Sequence, residues 1–277
     1  MTQEQVLEAW RRGGASRTRV LIALSEDGAL DWVDRLLPGP PEARRLAAAL
    51  LGRSPHLAEA LGHLRTLVSD DDRYTREAAV QAVVQLWHER FEEAYPILGA
   101  WRTDPNPLVR RAVVLAAGGI AEPLRLDRVA PLFSLLDPFV RDRAPEVRAA
   151  VEGVLAHALF TAYPEDTFEQ LTYWSASHDT GVLSHVATAL GQAPATIGRR
   201  ALIVLRRVAL ADGRPVRAAV VRAMANLAPA CPDAVGTELR RWLSDPERAA
   251  IAREALGRID GEFLSAKRPP ACPRPVA

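Results

Sequence analysis

The sequence predicts an all-α fold: a right-handed α-solenoid of about seven stacked helix pairs, with the second helices lining the concave side. Three observations lead there. A turn-plus-helix pattern recurs six times, with its basic residues 31 to 38 positions apart. Alanine stands two residues after the basic position in every copy. Ahead of each copy lies another apolar stretch of helical period, such as "EEAYPILGAW" or "LDRVAPLFSLL". Neither helix of such a pair can bury its apolar face alone, so the pairs must stack.

Taken in order, the first 24 residues suit a capping helix pair. "SEDGALDWVDRLLPGPP" reads as a first helix with a Pro/Gly turn, and "PEARRLAAALLG" (Pro41 to Gly52) as its second helix, with Ala47 two after Arg45. The regular copies begin at Ser69 with "SDDDRYTREAAVQAV". They continue through "WRTDPNPLVRRAVVLAA", "RDRAPEVRAAVEGVL", "SHDTGVLSHVATAL", "LADGRPVRAAVVRAM" and "LSDPERAAIAREAL". Asp70, Asp104, Asp142 and Asp179 precede Arg76, Arg110, Arg148 and His185 by six residues each. Asp212 precedes Arg217 by five and Asp245 precedes Arg248 by three. An aspartate there can cap the N–H groups of the coming helix. Pro107, Pro145, Pro215 and Pro246 stand just inside the start, where a missing N–H costs little. The expected organisation is a single array over 1–264, divergent in 1–68 and regular in 69–264. A Pro-rich disordered tail over 265–277 follows it.

Composition narrows the function classes. Apolar residues make up 48% and charged residues 25% of 277, with a formal net charge of +1. A dedicated nucleic-acid binder is usually more basic, so such a role needs local charge. Lys267 is the only lysine. The two cysteines, Cys231 and Cys272, make no disulfide framework and no C-x-x-C pair, which fits a reducing cytoplasm and gives a thiolate metal site no support. The start is polar, and apolar runs break well before the roughly 20 residues of a membrane span.

The Asp-turn-Arg-x-Ala pattern resembles HEAT repeats. The resemblance implies a ladder of hydrogen bonds between successive repeats through Asp70/Arg76, Asp104/Arg110 and Asp142/Arg148, with His185 replacing arginine in the fourth copy. Tyr74 to Leu190 also resembles the HEAT-like DNA alkylation-repair glycosylases, through "AWRTDPNPLVRRAVV" and "PEVRAAVEGVLAHALFTAYPEDTFEQL". That resemblance implies an aromatic residue and an acid beside a damaged nucleotide. Trp101 falls near the aromatic. Pro105 takes the place of the acid, with Asp104 one residue away.

The repeat explains several tempting residues. Three positions before each aspartate stand Leu67, Trp101, Phe139, Ala176, Ala209 and Trp242, an apolar column expected in the core. Arg110 is a ladder residue. Arg111 is not, since its column holds Glu77, Ala149, Val186, Ala218 and Ala249, so it is left to contact a partner. From Thr196 to Arg222 there are seven arginines, Arg199, Arg200, Arg206, Arg207, Arg214, Arg217 and Arg222, against one acid, Asp212. The first four recur at a spacing of seven and share a face. Such a stripe suits phosphates or an acidic protein surface, and equally a solvated outer face. Residues 1–140 carry net −2 and residues 141–277 net +3. His178 and His185 make a poor metal pair, and His157 lies on an apolar helix. No phosphate-binding glycine loop and no Ser/His/Asp set can be assigned. These features predict a non-catalytic scaffold for a protein or DNA partner, with no cofactor, metal or membrane. The alternative is base excision with Trp101 and Asp104 at the site.

Overall fold

The computed structural model describes residues 2–26 and 29–266, so most of the expected tail, from residue 267 on, lies outside the described residues. Every regular element among the described residues is helical. The chain divides into two compact units, one ending at Val154 and the other beginning at Leu155.

In the first unit, α1 (Gln3–Arg11) and α2 (Gly14–Glu26) precede four pairs: α3 (Ala29–Leu36) with α4 (Pro41–Leu51), α5 (Leu57–Leu67) with α6 (Arg73–Glu89), α7 (Phe91–Ala100) with α8 (Pro107–Gly119), and α9 (Val129–Leu136) with α10 (Pro145–Gly153). Second helices pack on second helices, α4 on α6, α6 on α8 and α8 on α10, while α5 packs on α7. A π-helical segment, Val154–Leu159, follows α10.

The second unit holds α11 (Phe160–Ala162) and three pairs: α12 (Pro164–Trp174) with α13 (Thr180–Leu190), α14 (Ala195–Val208) with α15 (Arg214–Leu227), and α16 (Pro232–Leu243) with α17 (Ala249–Ala266). Here α13, α15 and α17 pack in succession, and so do α12, α14 and α16. Each unit is thus a stack of antiparallel pairs, the all-α solenoid arrangement that the repeat predicts.

The turn aspartates work differently from simple caps. Asp72 and Asn106 cap α6 and α8. Asp70, Asp104 and Asp142 sit two residues before the cap position, and each accepts the N–H two residues on, from Asp72, Asn106 and Ala144. That turn leaves the other carboxylate oxygen facing the preceding repeat.

Arg44 fills the vacancy at Asp70 with two parallel bonds, 2.5 and 2.9 Å, and Arg110 does the same at Asp142, 2.7 and 3.0 Å. The same two arginines donate to their own turn, at the carbonyls of Gly39 and of Asp104 and Pro105. Arg76 binds only the carbonyls of Asp70 and Asp71, and Arg65 of α5 takes its place at Asp104, at 2.6 Å from Nε.

Two expected registers need correction. The ladder residue of α4 is Arg44, four after the cap Pro40, rather than Arg45, which makes a 3.4 Å contact with Asp72. In the fourth copy Asp179 is itself the cap, and Ser177 accepts the Asp179 N–H in the role the other aspartates play. The position four after that cap is Leu183, so His185 does not stand in for arginine. It is buried among apolar neighbours on α13 instead. The same shift leaves Ala176 exposed and puts Trp174 in the core.

Two further features hold the stack. Arg128 is wholly buried and donates to the carbonyls of Ile120 and His88, at the C-terminal ends of α8 and α6, with Phe91 under its guanidinium at 5.3 Å. Both carbonyl groups lie where the helix dipole favours a cation. Glycine permits close approach of helix backbones: a Cβ on Gly191 would stand 2.7 Å from the Ala223 Cα, and one on Gly52 3.1 Å from the Ala82 Cα.

These contacts predict two contrasts, both read from urea midpoints. Arg44→Ala and Arg110→Ala should each cost about 2 kcal/mol, because each strands a mostly buried carboxylate, while Arg45→Ala should cost less than about 1 kcal/mol. Gly191→Ala should cost about 1–3 kcal/mol, because backbone must move. Gly62→Ala, exposed inside α5 with open space around it, should gain about 0.5–1 kcal/mol. Equal effects within either set would reject the assignment.

Candidate functional site

Of the candidate site residues, Trp101 and Asp104 lie furthest inside. Trp101 opens a short 3-10 turn after α7 and is 6% exposed. The Asp104 side chain is 4% exposed, with one oxygen on Arg65 and the other on the Asn106 N–H. An acid so committed has no oxygen to turn toward a ligand. Arg111 is half-buried and paired with Glu77 of the preceding second helix at 3.0 Å. Its column therefore also carries a cross-repeat bond, where the sequence left it for a partner.

The arginine stripe of α14 divides between two neighbours. Arg200 reaches back to α12, pairing with Glu165 at 2.5 Å and lying over the Phe168 ring at 4.3 Å. Arg207 does the same through the Thr172 carbonyl and the Ser175 hydroxyl. Arg206 reaches forward to α16 and holds Glu238 with two bonds, 2.5 and 2.6 Å. The seven-residue spacing thus aligns Arg200 and Arg207 along one helix–helix seam and Arg206 along the other. Arg199, Arg214 and Arg222 are exposed.

Glu238 is the electrostatic centre of the second unit. Its carboxylate also accepts from the Trp242 indole N–H at 2.6 Å. Burial works against the charged form, but the bonds from Arg206 and Trp242 outweigh it and hold the group below the ordinary glutamate range.

Among the described residues, clefts open along second helices at two places. One, of about 820 Å³, lies where α15 and α17 begin, and mixes Arg214 and Arg217 with Asp212, Glu247 and Glu254. Arg217 and Glu254 pair across it at 3.0 Å. The other, of about 360 Å³, lies in the first unit, among α1, α2, α4 and α6. Its polar lining is Arg17, Arg45, Arg53, Gln81 and Gln85, and Trp10 forms a wall. The sequence singled out Arg45 only as a repeat position and did not single out Arg17 or Arg53, because the three lie on α2, on α4 and in the turn after α4, in the divergent region. The readable signal was local: Arg45, Ala49 and Arg53 follow at steps of four, as do Ala78 with Ala82 and Gln81 with Gln85. Among the described residues no cluster of His, Cys, Asp and Glu suits a metal ion, and no helix is long and apolar enough to cross a membrane.

The Glu238 centre makes a pH prediction. A carboxylate held low in the folded state contributes fully above its unfolded value of about 4.3, and the contribution fades as pH falls through the folded value. The stability gap between the native chain and Glu238→Gln should therefore be widest above pH ~5 and close as pH falls below ~4. Urea midpoints across a pH series measure it. A gap that does not change with pH would show that the charge contributes nothing.

Residues 29–118, from α3 into α8, match the model of the family of HEAT repeats. A search of the curated proteins finds no match. Among solved structures, a designed armadillo repeat protein is 19% identical, covering 76% of this chain and 98% of its own, at a TM-score of 0.37. An engineered protein from the Northeast Structural Genomics Consortium is 20% identical, covering 73% of this chain and 98% of its own, at a TM-score of 0.36. The recurring turn and helix and the Arg–Asp bridges between successive repeats make a stack of helix pairs, and over residues 29–118 that stack is similar to the HEAT repeats.

Proposed function

We propose that the chain is a non-catalytic scaffold whose second-helix surfaces engage a macromolecular partner, and that the partner is a protein. One observation carries this reading: the side chains that chemistry or DNA would use are bound into the frame, while the clefts along the second helices stay open. Trp101 is buried in the core, and Asp104 is buried and bonded to Arg65 and to the Asn106 N–H. Three of the four stripe arginines are spent on Glu165, on Glu238, and on Thr172 with Ser175. What remains is a surface of mixed sign on a chain of net charge +1, which favours a protein over a polyanion.

The alternative, a DNA-binding relative of the alkylpurine glycosylases, is tested with duplex DNA carrying 7-methylguanine. The expected outcome is base release no faster than the spontaneous rate, and binding no tighter than the non-specific range of roughly 10⁻⁴–10⁻⁶ M at physiological salt. Release that is lost in Asp104→Asn would overturn the reading in favour of base excision. Tight, salt-sensitive binding abolished by Arg199→Glu with Arg222→Glu would overturn it in favour of DNA. Both of those arginines are exposed, so their reversal should leave the frame intact.

A further inference from the structure

We infer that the cleft among α1, α2, α4 and α6 is an anchoring site for a short acidic peptide segment of a partner protein, which deepens the scaffold reading and rests on it. The first argument is charge. Among the described residues, three arginines line the cleft and no carboxylate does. Elsewhere in the first unit Arg44, Arg65, Arg110 and Arg111 each meet an acid within hydrogen-bond reach, while Arg76, Arg90 and Arg102 donate to carbonyls. The larger cleft beside α15 supplies its own acids, Glu247 and Glu254, so its charges are answered internally.

The three guanidiniums differ in how they are held. Arg17 lies over the Trp10 ring at 4.8 Å and donates from Nε to the Trp10 carbonyl at 2.9 Å, which fixes its plane and leaves its terminal nitrogens for a ligand. Arg45 spends one terminal nitrogen on Asp72 at 3.4 Å, a long contact that keeps its other donors for use. Arg53 is exposed. A planar fork of donors is the shape that a carboxylate meets with two bonds.

The rest of the lining suits a polypeptide. Ala49, Ala78 and Ala82 form a floor without long side chains, on which an extended backbone can lie close. Gln81 and Gln85 stand one turn apart, each with an amide that both donates and accepts, as a peptide group does. The volume, about 360 Å³, is at the small end of ligand pockets and holds a few side chains rather than a folded surface. A nucleic acid fits less well, because Asp72 bonds the cleft's own Arg45 and the residues up to 140 carry net −2, which repels a continuous polyanion but tolerates one local acidic segment. The chain's own last residues carry Lys267, Arg268 and Arg274, the wrong sign for this site.

The test is fluorescence anisotropy on the full chain with a labelled short peptide of alternating glutamate and alanine, beside its lysine–alanine counterpart and a labelled oligothymidylate. The glutamate peptide should bind saturably and weaken with salt, and the lysine peptide should not bind. Arg45→Gln with Arg53→Gln should weaken binding by about tenfold or more, and Arg199→Gln with Arg240→Gln, an equal loss of charge in the other unit, should leave it unchanged. Arg53→Glu alone, at an exposed side chain, repeats the test if the double variant does not fold. Binding that moves with Arg214→Gln and Arg217→Gln instead would keep the scaffold reading and overturn this cleft. Failure of the glutamate peptide to saturate, or equal loss in the control variant, would overturn the proposal. Stronger binding of the oligonucleotide would replace it with a nucleic-acid site. Self-association seen by light scattering and lost in Arg45→Gln with Arg53→Gln would make the occupant a second copy.

Discussion

A guanidinium shared between two turns is the interaction on which the first unit depends. Arg110 binds the carbonyls that close its own turn and, with its other edge, the carboxylate that shapes the next one. Arg44 repeats the arrangement at Gly39 and Asp70. Only a planar, five-donor head can face both ways at once; an ammonium in its place would have to choose. Because the same aspartates also receive a backbone N–H two residues on, turn conformation and repeat spacing are set by one group. A change at either end is felt at both.

The second unit reaches the same result by other means. Its bridge is Arg206 to Glu238, between first helices, with the Trp242 indole completing the carboxylate's partners. Arg217 meets Glu254 in place of a turn aspartate, and Asp245 is bound within its own turn by Arg248. Stacked pairs need some polar pin against sliding, since alanine-rich faces alone specify register poorly. The element that carries the pin is free to change.

The all-α stack was legible from the sequence, because helix period, turn residues and the alanine column agree. The exact register was less so. Arg44 and Arg45 are adjacent arginines, and only the turn geometry at Gly39 decides which faces Asp70. Asp179 matched the six-residue spacing by coincidence, since it caps α13 directly and Ser177 fills the earlier place. Trp101 was rightly assigned to an apolar column, but a periodic pattern cannot tell which charged groups will find partners on a different element. That is why the α14 stripe looked available while three of its members were committed. It is also why the Arg17, Arg45 and Arg53 cleft, assembled from side chains on α2, on α4 and in the turn after α4, went unnoticed.

Arg128 carries a consequence for how the stack comes apart. Repeat arrays ordinarily fray from their ends, one interface at a time, because each pair touches only its neighbours. A buried cation just ahead of α9, seated on the ends of α6 and α8 and against Phe91 of α7, ties its own pair to the two pairs before it. Peeling the pair that holds α6 or the pair that holds α8 away would take one carbonyl from a buried charge whose nearest acid, Glu122, stands at 4.0 Å, a state more costly than losing the pairs together. In nearest-neighbour terms the stiffest coupling of the first unit lies at its middle. Local opening there should be all-or-none, and hydrogen-exchange protection should rise together across α6, α7 and α8 rather than grade from one end.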